Sequence, residues 1–242
     1  MKIKGIIFDK DGTLFDIQRS WSEWAKVFVT KFSKKHDLDI IKLSNVINFD
    51  LASNKFLKES IFVHGSVDEV VDAISQKFPQ VMKKLIHEGL FEGSGDAKQL
   101  PLTNLHKLFT NLGTITFGLV TNDSENNAIK HLEQHNLTQY FDMIIGYDSG
   151  YGSKPEPGQL EAFLRKTNLL SQEVLMIGDS AYDLVAANKI SMPCLGVLSG
   201  TANKKDLSLH TPFIIDSIDG LESWLEKTFL NSYISYKRQR KV

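Results

Sequence analysis

The chain has 242 residues, of which 42% are hydrophobic and 24% are charged, and both fractions are ordinary for a globular protein. This length allows one large domain or two smaller ones. The formal net charge is −1, so no overall field would draw the chain to nucleic acid or to an anionic membrane. The only cysteine, Cys194, excludes an internal disulfide framework, and its apolar surroundings predict a buried structural thiol.

Six short apolar runs predict strands, and they occur in chain order at residues 3–8, 114–120, 141–146, 173–178, 193–198 and 212–216. Amphipathic stretches predict helices between the later strands, at residues 102–112, 124–136, 157–168 and 181–189. Strands that alternate with helices indicate right-handed crossovers and a mostly parallel sheet. The predicted fold class is therefore α/β, with a doubly wound core.

Residues 16–97 interrupt this alternation. They contain no good strand run, and helix-like stretches occur at residues 20–36, 53–60, 67–78 and 79–90. A set of aromatic residues recurs at spacings of three and four, which favours a buried helix face over a ligand-binding stripe; these are Trp21, Trp24, Phe28 and Phe32. We therefore predict that residues 16–97 form a second, helical domain, inserted into a core made of residues 1–15 and 98–242.

The first predicted strand runs directly into two carboxylates, in the stretch GIIFDKDGTLFD at residues 5–16. Unpaired buried carboxylates are costly, so Asp9 and Asp11 either belong to a turn or hold a cation. Gly12 and Thr13 suit a sharp turn, and they suit equally well a loop whose backbone amides cradle a phosphate.

Polar residues also follow the later strands, where ligands bind in open α/β sheets. Thr121 and Asn122 follow the second strand, Lys154 lies in GSKPEPG after the third, and Asp179 and Asp183 follow the fourth. Aspartate oxygens suit Mg²⁺, whereas lysine, threonine and asparagine can hold an anion beside it. An anion next to a divalent cation points to phosphate.

Neither GxxxxGK[ST] nor GxSxG occurs, so neither a P-loop nor a serine nucleophile is indicated. A carboxylate can itself attack phosphorus and form an aspartyl-phosphate. Two aspartates two residues apart can divide this work. Asp9 would attack, and Asp11 would protonate the leaving alcohol and then activate water.

The order FDKDGTL, LVTND, SKPEPG and GDSAYD resembles the four motifs of the haloacid dehalogenase superfamily, across nearly the whole chain. The resemblance implies a Rossmann-like core with an α-helical cap at residues 16–97, as in the subgroup that includes phosphoglycolate phosphatases and β-phosphoglucomutase. It implies that Asp9 is the nucleophile and Asp11 the general acid and base. The second aspartate favours phosphate chemistry over dehalogenation, because a leaving alkoxide needs a proton and a halide does not.

The predicted site therefore has three sets of residues. The catalytic residues are Asp9, Asp11 and Lys154. The substrate-binding residues are Gly12, Thr13, Thr121, Asn122 and Lys154. The ligands of a Mg²⁺ cofactor are Asp9, Asp11, Asp179 and Asp183.

Lys10 lies between the two aspartates. If the alternation of the strand continues, the Lys10 side chain points away from theirs. The favoured interpretation is a structural role, in which Lys10 pairs with a carboxylate of the inserted domain, and the alternative is a direct contact with phosphate.

The predicted function is a Mg²⁺-dependent phosphatase that hydrolyses a small phosphomonoester metabolite, and phosphoglycolate is the leading guess by analogy alone. The alternatives are a phosphotransferase or phosphomutase, a phosphonate hydrolase with a Schiff-base lysine in the cap, and a binding protein without turnover. No apolar run reaches roughly 18 residues and no signal peptide is recognisable, which predicts a cytoplasmic protein. The predicted partner is a small phosphorylated metabolite, not nucleic acid or membrane, and the sequence leaves monomer and homodimer open. The basic tail at 231–242 is interpreted as a solvated terminus in preference to a binding patch.

Overall fold

The computed structural model describes residues 2–57 and 60–228. The strands in chain order are β1 (Gly5–Phe8), β2 (Phe49–Asp50), β3 (Lys55–Phe56), β4 (Thr116–Val120), β5 (Met143–Ile145), β6 (Val174–Gly178), β7 (Cys194–Val197) and β8 (Ile214–Ile215). Six of them form one sheet in the order β5-β4-β1-β6-β7-β8, and every neighbouring pair is parallel. This sheet confirms the predicted α/β class.

Helices cover both faces of the sheet and build the inserted segment. In chain order they are α1 (Ile17–His36), α2 (Ile40–Val46), α3 (Ile61–His64), α4 (Val67–Lys77), α5 (Lys83–Phe91), α6 (Leu105–Leu112), α7 (Glu125–Glu133), α8 (Gly158–Thr167), α9 (Ala181–Lys189), α10 (Lys204–Leu207) and α11 (Leu221–Thr228). Short 3-10 turns lie at Ser94–Asp96, Thr138–Tyr140, Ser171–Glu173 and Ile218–Gly220.

Strand β1 lies in the middle of the sheet, between β4 and β6. Alternate side chains of a strand point to opposite faces. Ile6 and Phe8 accordingly pack into an apolar cluster with Phe109, whereas Ile7 packs into a second cluster with Phe163 on the other face. A strand buried on both faces reads as a continuous apolar run, which is why the sequence revealed β1 directly.

The inserted segment has an apolar cluster of its own, formed by side chains between Ile17 and Ala97. Helix α1 begins where the Asp16 side chain accepts a hydrogen bond from the Arg19 amide at 3.0 Å. Its aromatic side chains are buried as predicted, and the rings of Trp24 and Phe28 stack with centroids 5.3 Å apart. We refer to residues 16–97 as the cap; this division itself stays a prediction.

The two chain crossings between core and cap pair with each other. The Asp16 amide donates to the Leu100 carbonyl at 2.8 Å, and the Leu102 amide donates to the Leu14 carbonyl at 3.0 Å. Two adjacent, hydrogen-bonded crossings hold the root of the cap directly above the carboxyl end of β1. The cap is therefore positioned over the loop that carries Asp9 and Asp11.

The helix-like interpretation of residues 53–60 is wrong for the part that the structure describes, residues 53–57 and 60. Strand β3 pairs there with β2 in an antiparallel hairpin. Its turn is stabilised by Asp50, whose carboxylate accepts hydrogen bonds from the amides of Ala52 and Ser53, and by Asn54, whose φ is +53°. Two strands of two residues are too short to show an alternating pattern, so no strand was predicted there.

The predicted basic tail at 231–242 lies outside the described residues. No helix in the described ranges is both long enough and apolar enough to span a bilayer.

Candidate active site

The carboxyl ends of β1, β4 and β6 open into one cleft beneath the cap. The structure brings six of the predicted site residues to its wall, namely Asp9, Asp11, Thr121, Asn122, Lys154 and Asp179. The cavity volume is about 70 Å³, several times the roughly 10–15 Å³ that one water needs. The cleft therefore has room for a small molecule.

Lys154 lies at the buried floor of the cleft. Its Nζ is 2.7 Å from Asp9 Oδ1, 2.5 Å from Asp183 Oδ1 and 3.1 Å from the Val120 carbonyl oxygen. An ammonium has three N–H donors, so each has an acceptor. Burial opposes the charge, but the two carboxylates outweigh it and hold the pKa of Lys154 above its ordinary value. Lys154 therefore stays charged and fixes Asp9.

Two predicted site residues position the lysine. Asn122 clamps the backbone of Lys154: its Nδ2 donates to the Lys154 carbonyl and its Oδ1 accepts from the Lys154 amide, both at 2.9 Å. Asp183 holds the ammonium through Oδ1, whereas its Oδ2 accepts from the amide and hydroxyl of Ser180 at 3.1 and 2.7 Å. The side chains of Asn122 and Asp183 are thus committed to the protein, and their predicted contacts with substrate and metal stay predictions.

Three carboxylates gather at the site and fit a divalent cation. Asp9, Asp179 and Asp183 each offer an oxygen, and these oxygens lie within 4.8 Å of one another. Asp179 Oδ2 is buried and has no hydrogen-bond partner among the described residues. Burial, together with the charges of Asp9 and Asp183, raises the pKa of Asp179 well above its usual range. A buried, unpaired carboxylate oxygen beside other carboxylates is what a hard cation would satisfy.

The surroundings of Asp9 favour its protonated form when no cation is bound. Burial raises the pKa of Asp9 to about 7, although Lys154 acts in the opposite direction. A divalent cation would favour the ionised carboxylate.

Gly12 shapes the turn after β1. Its φ is +83°, a conformation that suits glycine, and a Cβ there would lie 2.6 Å from Asp179 Oδ2. Its amide donates to the Phe15 carbonyl at 2.7 Å, and the hydroxyl of Thr13 is buried without a partner among the described residues. Neither residue belongs to the described wall of the cleft, so their predicted contact with the substrate stays a prediction.

Asp11 lies in the cleft wall but apart from the carboxylate cluster. Trp21 Nε1 donates to Asp11 Oδ1 at 2.6 Å, and Lys10 Nζ lies 2.7 Å from Asp11 Oδ2. Both oxygens of Asp11 thus accept from protein donors, one from the cap and one from the core. This geometry suits a positioned acid and base better than a side-chain metal ligand.

The structure supports the structural role predicted for Lys10 but contradicts the predicted carboxylate partner in the cap. Its side chain is completely buried, and besides Asp11 it contacts Asp123 Oδ2 at 3.0 Å and His131 Nδ1 at 2.9 Å. None of these partners lies in the cap. The chain leaves the strand geometry after Phe8, so alternation no longer fixes the direction of the Lys10 side chain.

His131 completes this network from helix α7. Lys10 can only donate, so His131 Nδ1 accepts and its Nε2–H donates to the Ser94 carbonyl at 3.0 Å. Burial and the charge of Lys10 lower the pKa of His131 to about 4, so the ring is neutral. Burial opposes the charge of Asp123, but Lys10 outweighs it and the pKa of Asp123 lies below its ordinary value.

The roles of Trp21 and His131 were not predicted from the sequence. Trp21 was recognised only as part of a buried face, yet it both lines the cleft and contacts Asp11. His131 carries no motif. Its position on the predicted helix after Asp123, one turn beyond Asn127, could have indicated that it lies near Asp123. Asn127 itself donates to Asp123 Oδ1 at 3.0 Å.

Comparison with known proteins identifies relatives along nearly the whole chain. A family model described as haloacid dehalogenase-like hydrolase matches residues 6–197. A phosphoglycolate phosphatase of Vibrio vulnificus strain YJ016 is 33% identical over 224 residues, which cover 90% of this chain and 93% of that protein. A phosphoglycolate phosphatase of Photobacterium profundum is 27% identical over 224 residues and covers 88% of this chain and 91% of its own.

Solved structures share the fold. A protein from Bacteroides fragilis, described as haloacid dehalogenase-like hydrolase, superposes with a TM-score of 0.70 at 19% identity, over 91% of this chain and 100% of its own. An L-2-haloacid dehalogenase from Xanthobacter autotrophicus superposes with a TM-score of 0.60 at 13% identity, over 93% and 98% of the two chains. At these identities the likeness concerns the fold alone.

Proposed function

The chain belongs to the haloacid dehalogenase-like hydrolase family and is a phosphatase of that family, and from this premise we propose that it hydrolyses a small phosphomonoester through an aspartyl-phosphate at Asp9. The observation that carries the proposal is the meeting of two aspartates with a buried lysine in one cleft. Asp9 is fixed by Lys154, and Asp11 is held at the same wall by donors of its own.

In the first step, a carboxylate oxygen of Asp9 attacks phosphorus while the bond from phosphorus to the ester oxygen breaks. Asp11, in its protonated form, gives its proton to the leaving alkoxide. In the second step, Asp11 accepts a proton from water, whose oxygen attacks phosphorus and releases phosphate from Asp9. Lys154 neutralises charge next to the attacked phosphoryl group.

A divalent cation fits the carboxylate cluster, and we propose Mg²⁺. Asp9 and Asp179 would hold it through their oxygens, and Asp183 would support the site through Lys154 and Ser180. The cation would supply charge neutralisation for the phosphoryl oxygens. The unpartnered Asp179 Oδ2 supports this assignment.

Phosphoglycolate is the first substrate to assay, because two curated relatives are named for its hydrolysis. The phosphonate hydrolase alternative needs a lysine of the cap at the cleft. In the described part of the cleft wall the lysine is Lys154, which belongs to the core. The cytoplasmic location and the choice between monomer and homodimer stay predictions from the sequence.

The test is phosphate release from a panel of small phosphomonoesters, with Mg²⁺ or with a chelator, by the wild type and by Asp9→Asn. Asp72→Asn is the matched control, because Asp72 is an exposed aspartate on α4 of the cap. We expect metal-dependent release that is lost in Asp9→Asn and kept in Asp72→Asn. Equal release by Asp9→Asn would exclude Asp9 as the nucleophile.

The phosphotransferase alternative is distinguished in the same assay. A transferase would return the phosphoryl group to a sugar hydroxyl, so added sugar would yield a new phosphate ester in place of free phosphate. We expect free phosphate in equal amount with and without the sugar.

A further inference from the structure

The cleft has two unlike halves. The core half carries the carboxylates and Lys154. The cap half is built from apolar side chains on α3, α4 and α5 and at their ends: Phe62, Val63, Val67, Val70, Leu90 and Phe91. The reacting phosphoryl group belongs with the core half, so the leaving group of the ester must face the apolar half.

The described part of the cap wall offers no cation to a ligand. Lys154 is the one basic residue among the described residues of the cleft wall, and its three donors already have acceptors. The polar side chains on the cap side are also engaged. Trp21 donates to Asp11, and the Ser94 hydroxyl donates to the Phe91 carbonyl and accepts from Asn127.

The longer cap helices that begin at this wall, α1 and α4, are already capped by carboxylates of the chain. At the start of α1, where Ile17 lines the cleft, Asp16 Oδ1 accepts a hydrogen bond from the Arg19 amide at 3.0 Å. Helix α4 begins beside Gly65 and Val67, which line the cleft, and a helix N-terminus of this kind can attract an anion. Here the Glu69 carboxylate caps its own helix, since Glu69 Oε2 accepts from the Ser66 amide at 2.7 Å. Its charge also reaches the cleft, because burial and Glu69 raise the pKa of Tyr182 in the cleft wall.

We propose that the cap half of the cleft binds an uncharged, apolar leaving group, so that the substrate is the phosphomonoester of a small apolar alcohol. This inference rests on the proposed phosphatase function and refines its substrate class. A leaving group that ends in a carboxylate, such as glycolate, would lose its hydration against this wall and gain neither a cation nor a helix end in return. A branched alkyl group would gain from the removal of its apolar surface from water.

A matched pair of esters tests the inference. Isobutyl phosphate and phosphoglycolate have leaving groups of the same branching and similar size. An isopropyl group in the first takes the place of the carboxylate in the second. Methyl phosphate has almost no leaving-group body and serves as the baseline. For the metal-loaded wild type we expect kcat/KM for isobutyl phosphate to exceed that for each of the other two esters by at least about ten-fold.

A variant pair tests the same wall from the side of the protein. Val63→Lys places an ammonium in the cap half, and Val63 is only partly buried, so the change is mild for folding. We expect it to shift the ratio of kcat/KM toward phosphoglycolate by at least about ten-fold. Val27→Lys is the control, because Val27 is exposed on α1 and does not line the cleft; it should leave the ratio unchanged.

The outcomes separate this inference from the proposed function. If the wild type hydrolyses phosphoglycolate as efficiently as isobutyl phosphate, or isobutyl phosphate no better than methyl phosphate, the inference is overturned and the phosphatase function stands. Release of phosphate from none of the three esters would overturn the proposed function and, with it, the inference. Direct binding to Asp9→Asn by calorimetry gives a readout without turnover, and isobutyl phosphate should bind it more tightly than phosphoglycolate.

Discussion

Replacing Lys10 by methionine should destabilise this protein far more than the loss of an exposed lysine would. Methionine keeps most of the length and apolar stem of lysine but removes the charge. The Lys10 ammonium is completely buried and lies 2.7 Å from Asp11 Oδ2, 3.0 Å from Asp123 Oδ2 and 2.9 Å from His131 Nδ1. Lys10→Met would leave two largely buried carboxylates close together without a cation.

The expected loss of stability depends on whether the carboxylates left without Lys10 are buried or exposed. Removing one member of a buried ion pair costs roughly 3–5 kcal/mol, because the other charge stays buried without compensation. Lys189 provides the comparison: its Nζ also lies 2.7 Å from a carboxylate, Glu156 Oε1, but the two side chains are 39% and 69% exposed. An exposed pair of the same length contributes roughly 0–1 kcal/mol, because water screens it and replaces the lost contact.

Urea denaturation at neutral pH measures both variants directly. We expect Lys10→Met to lower the free energy of unfolding by roughly 3–5 kcal/mol and Lys189→Met by less than about 1 kcal/mol. The double variant Lys10→Met/Asp123→Asn should regain part of the loss, since it removes one of the two uncompensated charges. A cost for Lys10→Met as small as that for Lys189→Met, with no recovery in the double variant, would refute the reasoning.

Three further predictions concern metal, geometry and pH. Burial raises the pKa of Asp9 to about 7 and that of Asp179 well above its usual range, so the metal-free protein loses stability as the pH rises from about 4 toward 7. Because protons compete with the metal for these carboxylates, the increase in Tm on adding Mg²⁺ should be larger at pH 8 than at pH 5.5. Equal increases at the two pH values would contradict this competition. Trp21→Phe removes the donor 2.6 Å from Asp11 Oδ1, and kcat should fall by roughly ten-fold or more in a phosphate-release assay, whereas an unchanged kcat would mean that Asp11 does not need this contact. The pKa of His131 is lowered to about 4, so between pH 6.5, its ordinary pKa, and pH 4 the unfolded chain binds a proton at this residue and the native state does not. The free energy of unfolding should therefore fall by about 3 kcal/mol as the pH falls from 6.5 to 4. Urea titrations of His131→Gln should show a smaller dependence on pH in this range.

The sequence was sufficient to predict the sheet and to predict that six of the candidate site residues would share one cleft. Strand β1 is buried on both faces and reads as an apolar run, and its end is marked by Asp9. Parallel strands bring their carboxyl ends to one edge, so Asp179 could be placed at the same edge as Asp9 from the sequence. The close cluster of Asp9, Asp179 and Asp183 also requires that β1 and β6 are neighbours, which the structure shows.

Periodicity was insufficient for Lys10 and for the cap. The direction of the Lys10 side chain depends on a turn in which Gly12 has a φ of +83°, and no strand rule applies there. In the cap, the apolar face of α1 has two tasks. Trp24 and Phe28 stack inside the cap, whereas Trp21 on the same face reaches the cleft. Helical periodicity predicts which face of α1 is apolar, but it does not predict which other part of the protein packs against each residue of that face.

The division of the cleft explains why a shared reaction need not mean a shared substrate. The residues proposed to act at phosphorus come from loops of the core, and Asp9, Lys154 and Asp179 meet in the cleft because the sheet is parallel. In the proposed orientation of the substrate the leaving group faces the cap, whose described wall is formed by other residues, such as Val63 and Leu90. The dehalogenase from Xanthobacter autotrophicus has a similar fold, which shows that this architecture alone does not choose the chemistry. Changes in the cap wall can therefore alter the specificity for the leaving group without disturbing the core motifs. The substrate of this protein should accordingly be inferred from the residues of its cap wall.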